Sequence, residues 1–123
     1  MSITWSDGTP IYRQLRERVV AMILDEVLNA GDALPSVRSI AAEYQINPIT
    51  VSKAYQELVN ENIVEKRRGL GMFVNEGARE ALLQTERTQF LRNEWPALRA
   101  RLLRLGLDLE TLANYPAPAP GDD

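Results

Sequence analysis

The sequence predicts a mainly α-helical chain that carries one small β-hairpin and ends in a leucine-rich helical segment. Three observations give that class. Two short helical stretches, each opened by its own capping residue, are separated by only about three residues. A brief switch to β-prone residues around a Gly-x-Gly pair follows them. Helical spacing then resumes and holds for most of the remaining chain.

The opening segment to Thr9 is polar and turn-like, with Asp7-Gly8 as its turn signal. Thr9 reads as an N-cap and Pro10 as a first helical position, where its fixed φ and missing N–H do no harm. Ile11, Leu15, Val19, Met22, Ile23 and Val27 then recur at helical spacing, so a first helix is expected to run to about Leu28, stopped by Asn29-Ala30-Gly31-Asp32. Ser36, after Leu34-Pro35, caps a brief second helix with Val37, Ile40, Ala41 and Tyr44 on one face. Asn47 caps a third, with Pro48 at its first position and Val51, Ala54, Tyr55 and Leu58 as its apolar stripe.

Beyond Asn62 the period changes. Residues 63–68 and 72–74 are short β-prone stretches joined by Gly69-Leu70-Gly71, a hairpin with a basic, glycine-bearing tip. Helical patterning returns near Gly77-Ala78 and persists to Leu105, with a kink or break expected at Asn93-Glu94-Trp95-Pro96. Gly106 interrupts it, a short helix follows over 108–112, and the Pro-rich stretch 115–123 reads as a disordered tail. The expected division is 1–75, 76–114 and 115–123.

Composition narrows the chemistry. The 123 residues contain neither cysteine nor histidine, which excludes disulfides, thiolate zinc sites, Cys or His nucleophile pairs and imidazole acid–base catalysis. The acidic residues show no metal or acid–base spacing, so no cofactor is expected. The longest aliphatic run, Val19-Val20-Ala21-Met22-Ile23-Leu24, is far too short to cross a bilayer, and the N-terminus does not look like a signal peptide. A non-enzymatic cytoplasmic protein with no membrane partner is expected.

Helix, helix-turn-helix and basic hairpin, in that order, make a winged helix-turn-helix. Packing of the Val51, Ala54, Tyr55 and Leu58 face turns Ile49, Ser52, Lys53, Gln56 and Asn60 outward, toward the major groove of double-stranded DNA. Their hydroxyl, amide, ammonium and apolar groups suit phosphates, base edges and the thymine methyl. The helix N-termini at Ser36 and Asn47 are expected to offer free N–H groups to phosphates. Lys66, Arg67 and Arg68 at the wing tip are expected to contact phosphate as well. Gly69-x-Gly71 lacks the context of a dinucleotide-binding loop, and Tyr44, Tyr55 and Trp95 read as packing residues.

These residues also carry a resemblance. Gly31-Asp32-Ala33-Leu34-Pro35-Ser36-Val37-Arg38-Ser39-Ile40-Ala41 is similar to the Gly-x-x-Leu-Pro-Ser-x-Arg-x-Leu-Ala segment of the GntR family of bacterial regulators. Asn47-Pro48-Ile49-Thr50-Val51-Ser52-Lys53-Ala54-Tyr55-Gln56-Glu57-Leu58 resembles the recognition helix of that family, and Gly69-Leu70-Gly71-Met72-Phe73-Val74 its wing. The wording around Asn47 is similar to the YtrA subfamily, whose members have a two-helix dimerisation segment and often neighbour ABC transporter genes. The resemblance implies a DNA-binding transcription regulator with contacts from Ser36, Arg38, Asn47, Thr50, Ser52, Lys53 and the wing around Gly69. Pro48, Ile49 and Gly71 are further candidate contacts, and a repressor at a palindromic operator is the most economical mode of action. Gln45 stands where the family commonly has glycine, so a left-handed backbone there costs about 1 kcal/mol more.

Residues 1–75 hold eight basic and nine acidic side chains, a net charge of −1, so one copy is expected to bind DNA weakly. The C-terminal segment offers a remedy. From Leu91 the apolar positions Trp95, Leu98, Leu102, Leu105 and Leu109 continue in alternating steps of four and three, a heptad-like seam. A second copy is the expected partner for that seam. The segment is too short for a large ligand-binding domain, so a private effector pocket is not expected, and a small-molecule effector at the dimer interface stays open. The other readings are a winged domain used for protein contacts, and a fragment of an aminotransferase-like enzyme. No lysine follows Lys66 to hold the cofactor of such an enzyme.

Overall fold

The computed structural model describes residues 5–116, in the order α1 (Ile11–Leu24), α2 (Val37–Tyr44), α3 (Pro48–Asn60), β1 (Val64–Arg67), β2 (Gly71–Val74), α4 (Ala78–Gln89), a π-helical turn (Phe90–Glu94), α5 (Trp95–Leu105) and α6 (Leu109–Ala113). The expected mainly α class with one antiparallel hairpin is what forms. Its contacts divide the chain into two units, Met1–Thr85 and Glu86–Asp123.

In the first unit, α1 contributes Leu15, Val19, Val20 and Ile23 to the core, α2 Ile40 and Ala41, and α3 Val51, Ala54, Tyr55 and Leu58. These are the stripes that helical spacing marks out. Ile63, Val64 and Val74 close the core from the hairpin, and Ala78 and Leu82 complete it from α4. The contacts divide the chain at Thr85/Glu86, ten residues beyond the boundary expected at 75/76. The first turns of α4 belong to the winged unit, and Arg79 donates from Nε to the Leu24 carbonyl at 3.0 Å.

That same carbonyl marks a correction. The first helix stops at Leu24, four residues before the expected end at Leu28. Glu26 turns left-handed (φ 62°), and the amides of Val27 and Leu28 fold back to the Met22 carbonyl at 2.8 and 3.1 Å. Val27, in phase with the stripe, is 62% exposed beyond the helix end. At the other terminus Pro10, not Thr9, holds the cap position, without a side-chain hydrogen bond. The start is tied instead by Gln14, whose side-chain amide pairs with the N–H and carbonyl of Ser6 and reaches the Thr9 carbonyl.

The helix-turn-helix forms as expected. Ser36 Oγ accepts from the Ser39 amide at 3.0 Å, and Asn47 Oδ1 from the Ile49 amide at 2.8 Å. Gln45 ends α2 in the left-handed region (φ 55°), the costly conformation foreseen for a residue other than glycine. In the hairpin, Val64 pairs with Val74 and Arg67 with Gly71. A third piece of backbone joins it unannounced: Ala33 bridges Phe73, and the Leu34 amide donates to the Met72 carbonyl at 2.8 Å. The loop before α2 thus covers the free edge of β2.

In the second unit the expected break before Pro96 takes a defined form. A proline ring cannot donate and collides with the carbonyl one turn back, so the helix widens into the π turn Phe90–Glu94. The Trp95 amide reaches the Phe90 carbonyl. Gly106 ends α5 at φ 68°, and Asp108 caps α6. Hydrogen bonds from the Thr111 side chain and amide lower the pKa of the Asp108 carboxyl. The tail expected over 115–123 lies, from 117 onward, outside the described residues.

Candidate nucleic-acid interface

The exposed side of α3 and the hairpin enclose a concavity of about 420 Å³. Ser36, Ser52, Gln56, Lys66, Arg67, Gly69 and Gly71 line it, bringing together side chains from both helices of the helix-turn-helix and from the wing. Arg38 and Pro48 lie on a shallower, mostly apolar surface with Ala42 and Ile46, and Val37 lines both. Ile49, Ser52, Lys53, Gln56 and Asn60 are all exposed, as the helical spacing requires, whereas Thr50 is half-buried. Gln56 and Asn60 are hydrogen-bonded to each other at 2.9 Å.

Backbone donors separate the two helix starts, and here one expectation is corrected. In α3, Pro48 has no N–H, the Ile49 amide is taken by Asn47 Oδ1, and the Thr50 amide by the Asn47 carbonyl at 2.9 Å. The N-terminus of α3 therefore has no free amide in its first positions for a phosphate. In α2 the cap satisfies Ser39 and Ile40, and the amides of Val37 and Arg38 have no acceptor among the described residues. The helix start that keeps free amides is that of α2, where the Arg38 guanidinium is exposed and makes no ion pair among the described residues. Ser36 Oγ accepts within the cap, so its hydroxyl proton remains for another acceptor. Asn47 keeps its amide NH₂ for the same use.

The basic side chains are not equivalent. Lys66 and Arg68 are exposed at the wing without ion pairs among the described residues. Arg67 is engaged: its Nε meets Glu65 Oε1 at 2.7 Å, and its guanidinium lies 4.4 Å from the Phe73 ring centre. Lys53 lies over the Tyr12 ring, Nζ 4.1 Å from its centre. Tyr12 was invisible as a site residue because it stands on α1, far from Lys53 in sequence. At the wing tip Gly69 (φ 77°) and Gly71 (φ 115°) take backbone angles that side chains resist, although a Cβ at either would meet nothing. Between them Leu70 is 72% exposed, an apolar tip that reading the basic residues alone overlooks.

Tyr55 ties this face to the core. Its hydroxyl donates to the Pro35 carbonyl at 2.7 Å, fixing the start of α2 to the middle of α3. Burial, with a smaller contribution from Tyr44, raises its pKa from 10.0 to about 12. Above pH 10 the unfolded chain releases this proton while the folded chain retains it, so stability falls from there through about pH 12. Tyr55→Phe is expected to lose about 1 kcal/mol at neutral pH and to decline less steeply across that alkaline window. Urea unfolding at neutral and alkaline pH measures both effects.

Comparison with known proteins places these features in company. The family model described as bacterial regulatory proteins, gntR family, matches residues 11–74. The chain is 38% identical over 108 residues to the HTH-type transcriptional repressor YtrA of Bacillus subtilis (strain 168), covering 88% of this chain and 82% of that protein. A transcriptional regulator from Oenococcus oeni has a similar solved structure, with TM-score 0.70 and 31% identity, covering 90% of this chain and 91% of that one. A GntR family transcriptional regulator from Listeria monocytogenes gives TM-score 0.72 at 29% identity, with coverage of 89% and 94%.

Proposed function

The chain belongs to the GntR family of bacterial DNA-binding transcription regulators, and from that premise we propose that it is a homodimeric repressor acting at a two-fold symmetric operator. The observation that carries the reading is the single concavity in which Ser36 of the α2 cap, Ser52 and Gln56 of α3, and Lys66 of the wing come together. In this reading α3 enters the major groove, the free amides of α2 and Arg38 hold phosphate, and the wing follows the adjoining backbone. Blocking polymerase access is the simplest consequence. Control of transporter genes is carried by the subfamily resemblance alone. A chromosomal target implies work in the cytoplasm, and among the described residues no helix is long and apolar enough to cross a membrane.

Pairing of two copies is part of the proposal. One winged unit is net negative, with nine basic and eleven acidic side chains over residues 1–85, a net charge of −2. The described residues from Glu86 onward include none that is buried, although Leu91, Leu98, Leu105 and Leu109 are large and apolar. A second copy of the seam would cover them.

Duplex binding as a function of salt tests the reading. A regulator loses affinity steeply as salt rises, because phosphate contacts release counterions; a winged domain used for protein contacts has no such slope. Arg38→Ala is expected to weaken operator binding by about 1–3 kcal/mol. Its circular dichroism should not change, since Arg38 is exposed and has no ion pair among the described residues. Full affinity in a folded Arg38→Ala protein would remove the phosphate-binding terminus of α2 from the account.

A further inference from the structure

The first turn of α3 carries an unexplained expense. Ile49 is 75% exposed, and among the described residues of the winged unit no large hydrophobic side chain is more so. It belongs neither to the buried core cluster nor to the partly buried side chains packed against it. Its position is also the one from which a recognition helix reaches base edges. The backbone of that turn cannot help, since Pro48 lacks an N–H and the amides of Ile49 and Thr50 are already bonded to Asn47. Side chains alone must do the reading there.

An isoleucine side chain neither donates nor accepts a hydrogen bond. The feature of a major-groove edge that it recognises is the C5-methyl group of thymine. Its branched Cβ restricts it to essentially one rotamer in a helix, so little freedom is lost when it docks. We infer that Ile49 is a specificity-determining residue that reads one thymine methyl in each half-site. The inference rests on the DNA-binding reading above and adds the base feature that this position selects.

Deoxyuridine in place of thymidine removes that methyl and leaves base pairing intact. Full-length protein is first used to select its preferred duplex from random sequences. Each thymine of one half-site is then replaced by uracil in turn. For the native protein, one position is expected to lose about three- to tenfold in affinity. Ile49→Ala, which disturbs no packing, should bind the thymine duplex as weakly as the native protein binds the uracil duplex. It should also discriminate less than twofold between the two, a factor of about two marking the limit of coupling. Ile49→Val should fall between them. Equal uracil sensitivity in native and Ile49→Ala proteins would overturn the inference while leaving DNA binding standing. Failure of the native protein to select any duplex would overturn both.

Discussion

Leu98→Glu combined with Leu102→Glu is expected to turn a dimer into a monomer and to weaken binding to a two-half-site operator by roughly a hundredfold or more. Both residues lie in the seam that starts at Leu91, and neither is buried within the single chain: Leu98 is 42% exposed and Leu102 is half-buried. A carboxylate there meets water in the monomer but would be stripped of it against a partner copy. Affinity for one isolated half-site should not change, because the winged unit keeps its core. Sedimentation gives the mass, and titration against one and two half-sites separates lost avidity from lost contacts. A double variant that remains dimeric would show that the seam lies elsewhere.

Leu58→Ala is expected to cost about 3–5 kcal/mol, the range for emptying a well-packed leucine site. Leu58 is 0% exposed and sits in a cluster with Leu15, Val19, Ile23 and Val64, where α1, α3 and the hairpin meet. Against a net stability of roughly 5–15 kcal/mol, the loss should lower the urea midpoint sharply and leave a measurable unfolded fraction. The contrast with Ile49→Ala is informative. Both shorten an apolar residue of the same helix, one for stability and the other for recognition.

The helix-turn-helix was readable residue by residue because caps and stripes agreed. Ser36 and Asn47 cap as their side chains suggest, and Val51, Ala54, Tyr55 and Leu58 are all buried. The end of α1 was not readable. No glycine marks the stop, and Val27 stays in phase with the stripe while the backbone has already turned left-handed at Glu26. The pairing of Ala33 with Phe73 is likewise a matter of backbone hydrogen bonds, which leave no periodicity in the sequence. The spatial division of the basic residues escaped for the same reason. Glu65 and Arg67 share a strand face two residues apart, but Arg67 over Phe73 and Lys53 over Tyr12 depend on packing between residues the sequence does not bring together. Which helix start keeps free amides required the hydrogen bonds themselves, because a proline and a cap together consume the donors of α3.

Two copies of this α2–α3–wing face are proposed to read one symmetric duplex. Selection of bound sequences from a random duplex pool by the full-length protein tests this most directly. One enriched motif made of two inverted half-sites with centres about one helical turn apart is expected. A pool without enrichment, or a motif with a single unrepeated half-site, would contradict it.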